Sequence, residues 1–156
     1  MTEAQRIKNM EIPTGRVDMV LDTDAFNEID DQFAIAYTLR SAERCNLRQI
    51  YAAPFLNKKV SSAEEGMEAS YNEILKILEL AGSSEMKNHT YRGSSRFMVK
   101  EDEAVDSPAA RALIELSKEY TAENPLYVVA LGAITNVSSA LVMDPTLKER
   151  ITVVWL

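Results

Sequence analysis

The amino-acid sequence predicts an α/β fold, a mostly parallel sheet with helices on both faces. Three observations point to it. Apolar, β-branched runs of strand length recur at 17–22, 48–54, 125–132 and 151–156. Stretches with apolar residues at helical spacing lie between them. Such alternation is satisfied most economically by parallel strands joined through helices that pack on the sheet. The 156 residues suffice for one domain with a real core, and 46% hydrophobic with 26% charged residues is ordinary for a globular chain.

Residues 1–16 are polar and read as a partly flexible lead-in. Residues 17–22 read as a buried strand whose apolar run is broken only by Asp18. A helix is expected from Ile29 to about Leu39, because Ile29, Phe33 and Ala36, with Ala34 and Tyr37, recur at helical spacing. The second strand, 48–54, is stopped by Pro54. Ser61 and Ser62, followed by Glu64 and Glu65, give a capping-box signature. The helix they open runs to Leu80 on a stripe of Tyr71, Ile74, Leu75 and Leu78, with Gly82 as its stop. The segment 82–98 is loop with room for one short strand. Ser107 caps the next helix, with Pro108 in its first turn and Ala112, Leu113 and Leu116 as packing face. The strand "PLYVVALG" (125–132) leads into an apolar helix, 133–143, ended by Asp144-Pro145. The run "ITVVWL" (151–156) is a further buried strand, so 17–156 is expected to be the N-terminal part of a single domain, truncated at 156.

A net charge of −7 argues against a basic nucleic-acid-binding surface. No apolar run approaches the length of a membrane span, and the N-terminus has no apolar signal core. The single cysteine, Cys45, allows no internal disulfide and fits a reducing, cytoplasmic setting.

Chemistry is concentrated in "DTDAFNEIDDQ", where Asp22, Asp24, Asp30 and Asp31 crowd the exit of the first strand. Such carboxylates repel one another, and a hard divalent cation removes that penalty. Asp24 at the strand exit and Asp31 at the helix start are placed to converge on one ion. The bland alternative is helix caps and a solvated face. A second candidate is "LGAITN" (131–136), a Gly–x–x–Thr–Asn turn at the same sheet edge. Ligands in open α/β sheets bind beyond the carboxyl ends of the strands, and both loops belong there. Asn57, after the second strand, is a possible hydrogen-bonding group. The lone His89, Cys45 and Trp155 carry no assigned chemistry.

With those residues laid out, the sequence resembles the nucleoside hydrolase family, the inosine/uridine-preferring nucleoside N-ribohydrolases. The resemblance rests on "VLDTDAFNEIDDQFAIAY" together with "SPAARALIEL…NPLYVVALGAITNVSSALVMDP", and extends to "YNEILKILELAG" and "YRGSS". It implies a calcium cofactor held by Asp24, Asp31 and the backbone carbonyl of Thr135. It implies Asp24 as general base toward the attacking water, Asp30 and Asn57 toward ribose hydroxyls, and Asp22 as support. The family's loop has Pro-Gly-His or similar between its acid pairs. Here "AFNEI" is longer and lacks the glycine, so Asn27 is expected to serve the ribose instead. The resemblance implies a ribonucleoside substrate, no nucleic-acid or membrane partner, and a homo-oligomer in the full-length form. Family members run to about twice this length, and their second half supplies a further calcium-binding Asp, a His and a ribose-binding segment. This chain is therefore expected to be weakly active or inactive by itself.

Two rivals stand beside that reading. A haloacid-dehalogenase-type phosphatase would use Asp22 as nucleophile and Asp24 as acid/base, but leaves Asp30-Asp31 and the Thr-Asn turn without a role. A non-catalytic metal- or sugar-binding fragment is the other.

Overall fold

The computed structural model describes residues 1–156. Its sheet has five strands: β1 (Val17–Thr23), β2 (Cys45–Ala52), β3 (Thr90–Arg92), β4 (Leu126–Leu131) and β5 (Ile151–Trp155). Their spatial order is β3-β2-β1-β4-β5, and every neighbouring pair is parallel. The helices are α1 (Glu3–Asn9), α2 (Ile29–Arg40), α3 (Ala63–Leu80), α4 (Pro108–Ser117) and α5 (Thr135–Met143). The predicted α/β class is what the chain adopts. No helix is long and apolar enough to cross a membrane.

Two apolar cores sandwich the sheet. On one face, α2 and α3 bury Ile35, Ile74 and Leu78 against Leu21 and Ile50. On the other, α4 and α5 bury Leu113 and Val137 against Val20 and Val128. Each fully buried aliphatic side chain contributes about 1.5–3 kcal/mol. The caps form as their sequences require. The Ser62 hydroxyl accepts from the Glu65 N–H at 3.1 Å, and the Ser107 hydroxyl accepts from the Ala110 N–H at 3.1 Å.

Four expectations need correction. The run 151–156, read as a buried strand, forms β5, but only Ile151 is buried, and Val153, Val154 and Trp155 are exposed. The lead-in contains α1, capped by Thr2 and tied down where Asn9 donates to the Ala122 carbonyl at 2.8 Å. β2 begins at Cys45, earlier than its apolar residues suggest, because its polar start pairs with the start of β1. The stripe that announces α2 does not face the core: Ile29, Phe33 and Tyr37 are 67%, 69% and 73% exposed, and Asp31, Ile35 and Thr38 are buried instead. Residues i, i+4 and i+7 share one helix face, so turning Asp31 inward turns Ile29, Phe33 and Tyr37 out.

Asp18, the charge inside β1, accepts hydrogen bonds from Asn46 (2.7 Å), Arg48 (2.9 Å) and Tyr120 (2.7 Å). Burial alone would raise its proton affinity, but those donors hold the carboxyl below its ordinary range. This cluster braces the end of the sheet where β1 begins.

The opposite end is where the register matters. Thr23 pairs with both Ala52 and Leu131, and Ala52 pairs with Arg92. Asp24, Ala53, Gly93 and Gly132 therefore leave the sheet at one level. The chain winds from β1 outward to β2 and β3, then returns to β4 on the other side of β1. That reversal opens a crevice between the loops following β1 and β4, the usual ligand position in such sheets.

Candidate active site

The crevice holds the acidic loop. Asp22, Thr23 and Asp24 are all buried at the exit of β1. A turn closed by the Asn27 N–H on the Asp24 carbonyl, 2.6 Å, sends the chain into α2. The first turn of α2 then presents Asp30 to solvent and Asp31 to the interior. A cleft of about 450 Å³ is lined by Asp24, Asn27, Asp30, Asp31, Gly132 and Leu156. A second concavity, between α2 and α3 around Phe33 and Leu80, is mainly apolar and far poorer in polar groups.

Hydrogen bonds fix the predicted residues relative to one another. The Asn27 amide donates to Asp24 Oδ2 at 3.1 Å, and the Asn57 amide donates to Asn27 Oδ1 at 2.7 Å. Asn57 thus joins the cluster through Asn27 from an exposed loop. The Thr23 hydroxyl donates to Asp31 Oδ1, and the Lys59 ammonium donates to the Phe26 and Asn27 carbonyls. Lys59 went unnoticed in the sequence. It is the cation that steadies the "AFN" turn from outside while leaving the carboxylates uncompensated.

Electrostatics follow from that crowding. Burial, then the Asp31 charge, pushes the Asp24 carboxyl up to about 6. Asp31 is raised by burial, against the Thr23 hydrogen bond, with the charges of Asp30 and Glu28 adding to the rise. Asp22 is pushed up to about 7 by burial, against the Asn136 hydrogen bond, with the Asp24 charge adding. Its Oδ2 is buried without a hydrogen-bond partner. No three Asp, Glu, His or Cys side chains stand close enough together to hold a metal ion. Asp24 and Asp31 are therefore a pair of carboxylates, not a complete acidic cage.

The turn after β4, the second candidate stretch of the sequence, supplies two residues whose individual roles become visible only in the fold. Gly132 has φ +99°, and a Cβ built there would stand 2.9 Å from Asp24 Cγ. Only glycine lets this turn lie against the Asp24 carboxylate. Gly132→Ala is expected to lose about 1–3 kcal/mol through backbone strain and to displace that carboxylate. Thermal denaturation beside Gly15→Ala, which meets nothing within 4 Å, checks this; equal melting temperatures for the two variants would refute it.

Asn136, in the first turn of α5, is fully buried. Its amide donates to Asp22 Oδ1 (2.9 Å) and the Ala52 carbonyl (3.1 Å), and its Oδ1 accepts from the Ser94 N–H (2.7 Å) and hydroxyl (2.9 Å). A Cβ on Gly93 would stand 1.9 Å from the Ala52 carbonyl oxygen and 2.5 Å from the Asn136 amide nitrogen. One side chain thus ties β1, β2, the loop after β3 and α5 together. Thr135, the residue before Asn136, is buried and is not among the residues that line the cleft of Asp24 and Asp31. Asp22 is 1% exposed. A phosphatase nucleophile must reach its substrate, so the enclosure of Asp22 counts against the dehalogenase-type alternative.

Comparison with curated proteins finds no match. Among solved structures, the chain is similar to the type III effector protein XopQ, whose structure was determined in complex with adenosine diphosphate ribose. The TM-score is 0.62 at 14% sequence identity, over 100% of this chain and 48% of that one. The chain therefore spans about half the length of the structure it matches, and the likeness establishes the fold. A family model described as inosine-uridine preferring nucleoside hydrolase matches residues 19–156. With that model covering almost the whole sequence, including both strand-end loops that build the crevice, the chain belongs to the inosine-uridine preferring nucleoside hydrolase family.

Proposed function

We propose that this chain supplies the metal- and ribose-binding part of a calcium-dependent N-ribohydrolase site, acting on the N-glycosidic bond of a ribonucleoside. The observation that carries the reading is the pairing of Asp24 with Asp31 in one cleft, both with raised proton affinity and no cationic side chain between them. The orphaned, buried Asp22 Oδ2 behind them adds to the same unmet negative charge. Two adjacent carboxylates suit a hard cation such as calcium.

In this reading Asp24, Asp31 and the Thr135 carbonyl hold calcium. When bound, the ion supplies positive charge that gathers the ribose diol and the attacking water. Asp24 takes the proton from that water at its carboxylate oxygen. Asp30, at the cleft mouth, accepts hydrogen bonds from ribose hydroxyls, while Asn27 and Asn57 orient the sugar through their linked amides. Asp22, held by Asn136, fixes the exit of β1 beneath Asp24. Bond cleavage builds positive charge on the ribose ring, which the surrounding carboxylates favour. The single cysteine fits a cytoplasmic, reducing setting.

Two carboxylates make a sparse calcium site. The chain alone is expected to bind calcium weakly and to release little or no ribose from inosine or uridine. Calorimetric calcium titration combined with a reducing-sugar assay tests this. Saturable calcium binding that Asp31→Asn removes supports the reading. Full-rate turnover by the chain alone refutes the expected weak activity, and no binding at millimolar calcium refutes the site. Calcium and ribose binding without any turnover would favour the second reading, a non-catalytic metal- or sugar-binding module. The ADP-ribose held by XopQ, another ribose-containing ligand, lends that alternative some support.

A further inference from the structure

We propose that Trp155 is a positioning residue for the cleft: its indole N–H holds the Gly132 turn against the face of the Asp24 carboxylate, a role that rests on the reading of Asp24 as calcium ligand and proton acceptor. In the sequence Trp155 is only the aromatic of an apolar strand. In the fold it reaches from β5 to the loop that follows β4.

The register of β5 puts it there. Trp155 pairs with Ala130, and the Leu156 N–H donates to the Ala130 carbonyl at 3.1 Å. The indole N–H then donates to the Gly132 carbonyl at 2.8 Å. That carbonyl accepts no other hydrogen bond within the chain, and residues 132–135 take no other side-chain hydrogen bond. Little else holds the turn. Gly132 has φ +99°, and Ile134, at the start of α5, offers no capping side chain. The buried anchor of this segment, Asn136, lies further along the chain.

The contact with Asp24 has a direction. A Cβ built on Gly132 would stand 2.9 Å from Asp24 Cγ, 2.9 Å from Oδ1 and 3.0 Å from Oδ2. A point nearly equidistant from all three atoms lies over the face of the carboxylate, not beside one oxygen. The Asn27 amide meanwhile donates to Oδ2 at 3.1 Å. With one face covered and one oxygen tethered, the plane of the carboxylate is set from two sides. Groups that orient a ligating carboxylate affect metal affinity although they never touch the ion. Leu156 lines the cleft beside Asp24 and Gly132, so the exit of β5 is already part of the cleft wall. The same turn leads to Thr135, whose carbonyl is the third oxygen of the proposed site.

Nuclear magnetic resonance of the whole chain in chelator, followed by calorimetric titration with calcium, tests the proposal. Trp155→Phe keeps an aromatic ring on the strand and removes the N–H. It is expected to shift the Gly132 amide and Asp24 carboxyl-carbon signals and to leave the Asp18 carboxyl, at the other end of the sheet, unmoved. Calcium binding should weaken about 3–10-fold, the contribution of one hydrogen bond. Trp155→His carries its Nε2 at the ring position of the indole nitrogen. At alkaline pH, where that ring is neutral, it is expected to restore both signals and most of the affinity. A Trp155 that only fills space predicts equal losses in the two variants, and that result overturns the proposal. So do unmoved Gly132 and Asp24 signals in Trp155→Phe. Should that variant misfold, the wild-type chain decides, because its single tryptophan gives one indole N–H signal. Exchange of that proton as fast as in an unfolded chain overturns the proposal, and slowed exchange supports it. A wild-type chain that binds no calcium refutes the metal site alone, since the signals in chelator still measure what Trp155 does to Asp24.

Discussion

Asp24→Asn is expected to raise the melting temperature of the metal-free protein above neutral pH while abolishing its response to calcium. The first half follows from the shift of the Asp24 carboxyl to about 6, caused first by burial and then by the Asp31 charge. In the unfolded chain the group ionises near the ordinary aspartate value of 3.8. Between those values the folded state holds a proton that the unfolded state has released. The resulting cost to stability is absent at acid pH, grows as pH rises from about 4, and is complete above about 6. Discounted for the solvent that reaches a carboxylate at a cleft wall, it amounts to about 1 kcal/mol, or a few degrees in melting temperature. Asparagine keeps the shape and an oxygen for the Asn27 amide to donate to, and removes the charge. The advantage of the variant should therefore vanish on acidification. The second half follows from the proposed ligand role: a ligand that binds only the folded state stabilises it by mass action, and a neutral amide weakens that attraction. Calorimetric scans at acid and alkaline pH, each with calcium or with chelator, resolve both. A variant less stable than wild type in chelator at alkaline pH contradicts the electrostatic argument, and one that still gains stability from calcium contradicts the ligand assignment. The pattern is that of a site whose charges serve binding at the expense of the empty fold.

Much of this architecture is legible in the sequence because it is local. β-Branched runs gave β1, β4 and β5; Ser62 and Ser107, with the residues just after them, gave the starts of α3 and α4. Asp24, Asn27, Asp30 and Asp31 fall within one short loop and one helical turn, so their convergence on a single cleft follows from chain geometry. What sequence periodicity missed depends on distant partners. Nothing near Asn136 announces that it meets Asp22, 114 positions away, and Ser94, 42 positions away. Gly132 reads as an ordinary turn glycine until Asp24 is placed against it. The buried face of α2 was misassigned for a related reason. Hydrophobic spacing identifies a helix, but here a carboxylate, Asp31, turns inward and carries the apolar stripe to the outside. Asp18 likewise reads as an interruption of β1 until Arg48 and Tyr120 arrive from other elements.

Asn136→Ala should be the most destabilising conservative change at this end of the sheet, costing about 3–5 kcal/mol. Four hydrogen bonds disappear at a position with no solvent access. The Ser94 N–H, the Ala52 carbonyl and Asp22 Oδ1 are then left in the interior, and Asp22 Oδ2 already lacks a partner. Leaving a buried group unsatisfied costs about 1–3 kcal/mol, more when it is charged. Ser94→Ala offers the contrast: it removes only the hydroxyl donor and keeps the Ser94 N–H bond to Asn136, so about 1 kcal/mol is expected. The pH dependence separates the role of Asn136 from simple cavity formation. Its amide bond is what opposes the upward shift of Asp22, so without it the carboxyl rises further. A raised carboxyl costs stability once pH exceeds its ordinary value and reaches the full cost above its folded value. The loss in Asn136→Ala should thus be smaller at acid pH, where Asp22 is protonated in both states, and grow through neutrality. Urea denaturation across that range measures it. A loss under 1 kcal/mol, or one independent of pH, would mean that Asn136 fills space at the strand ends without holding Asp22, and β1 would need another explanation for the charge it buries.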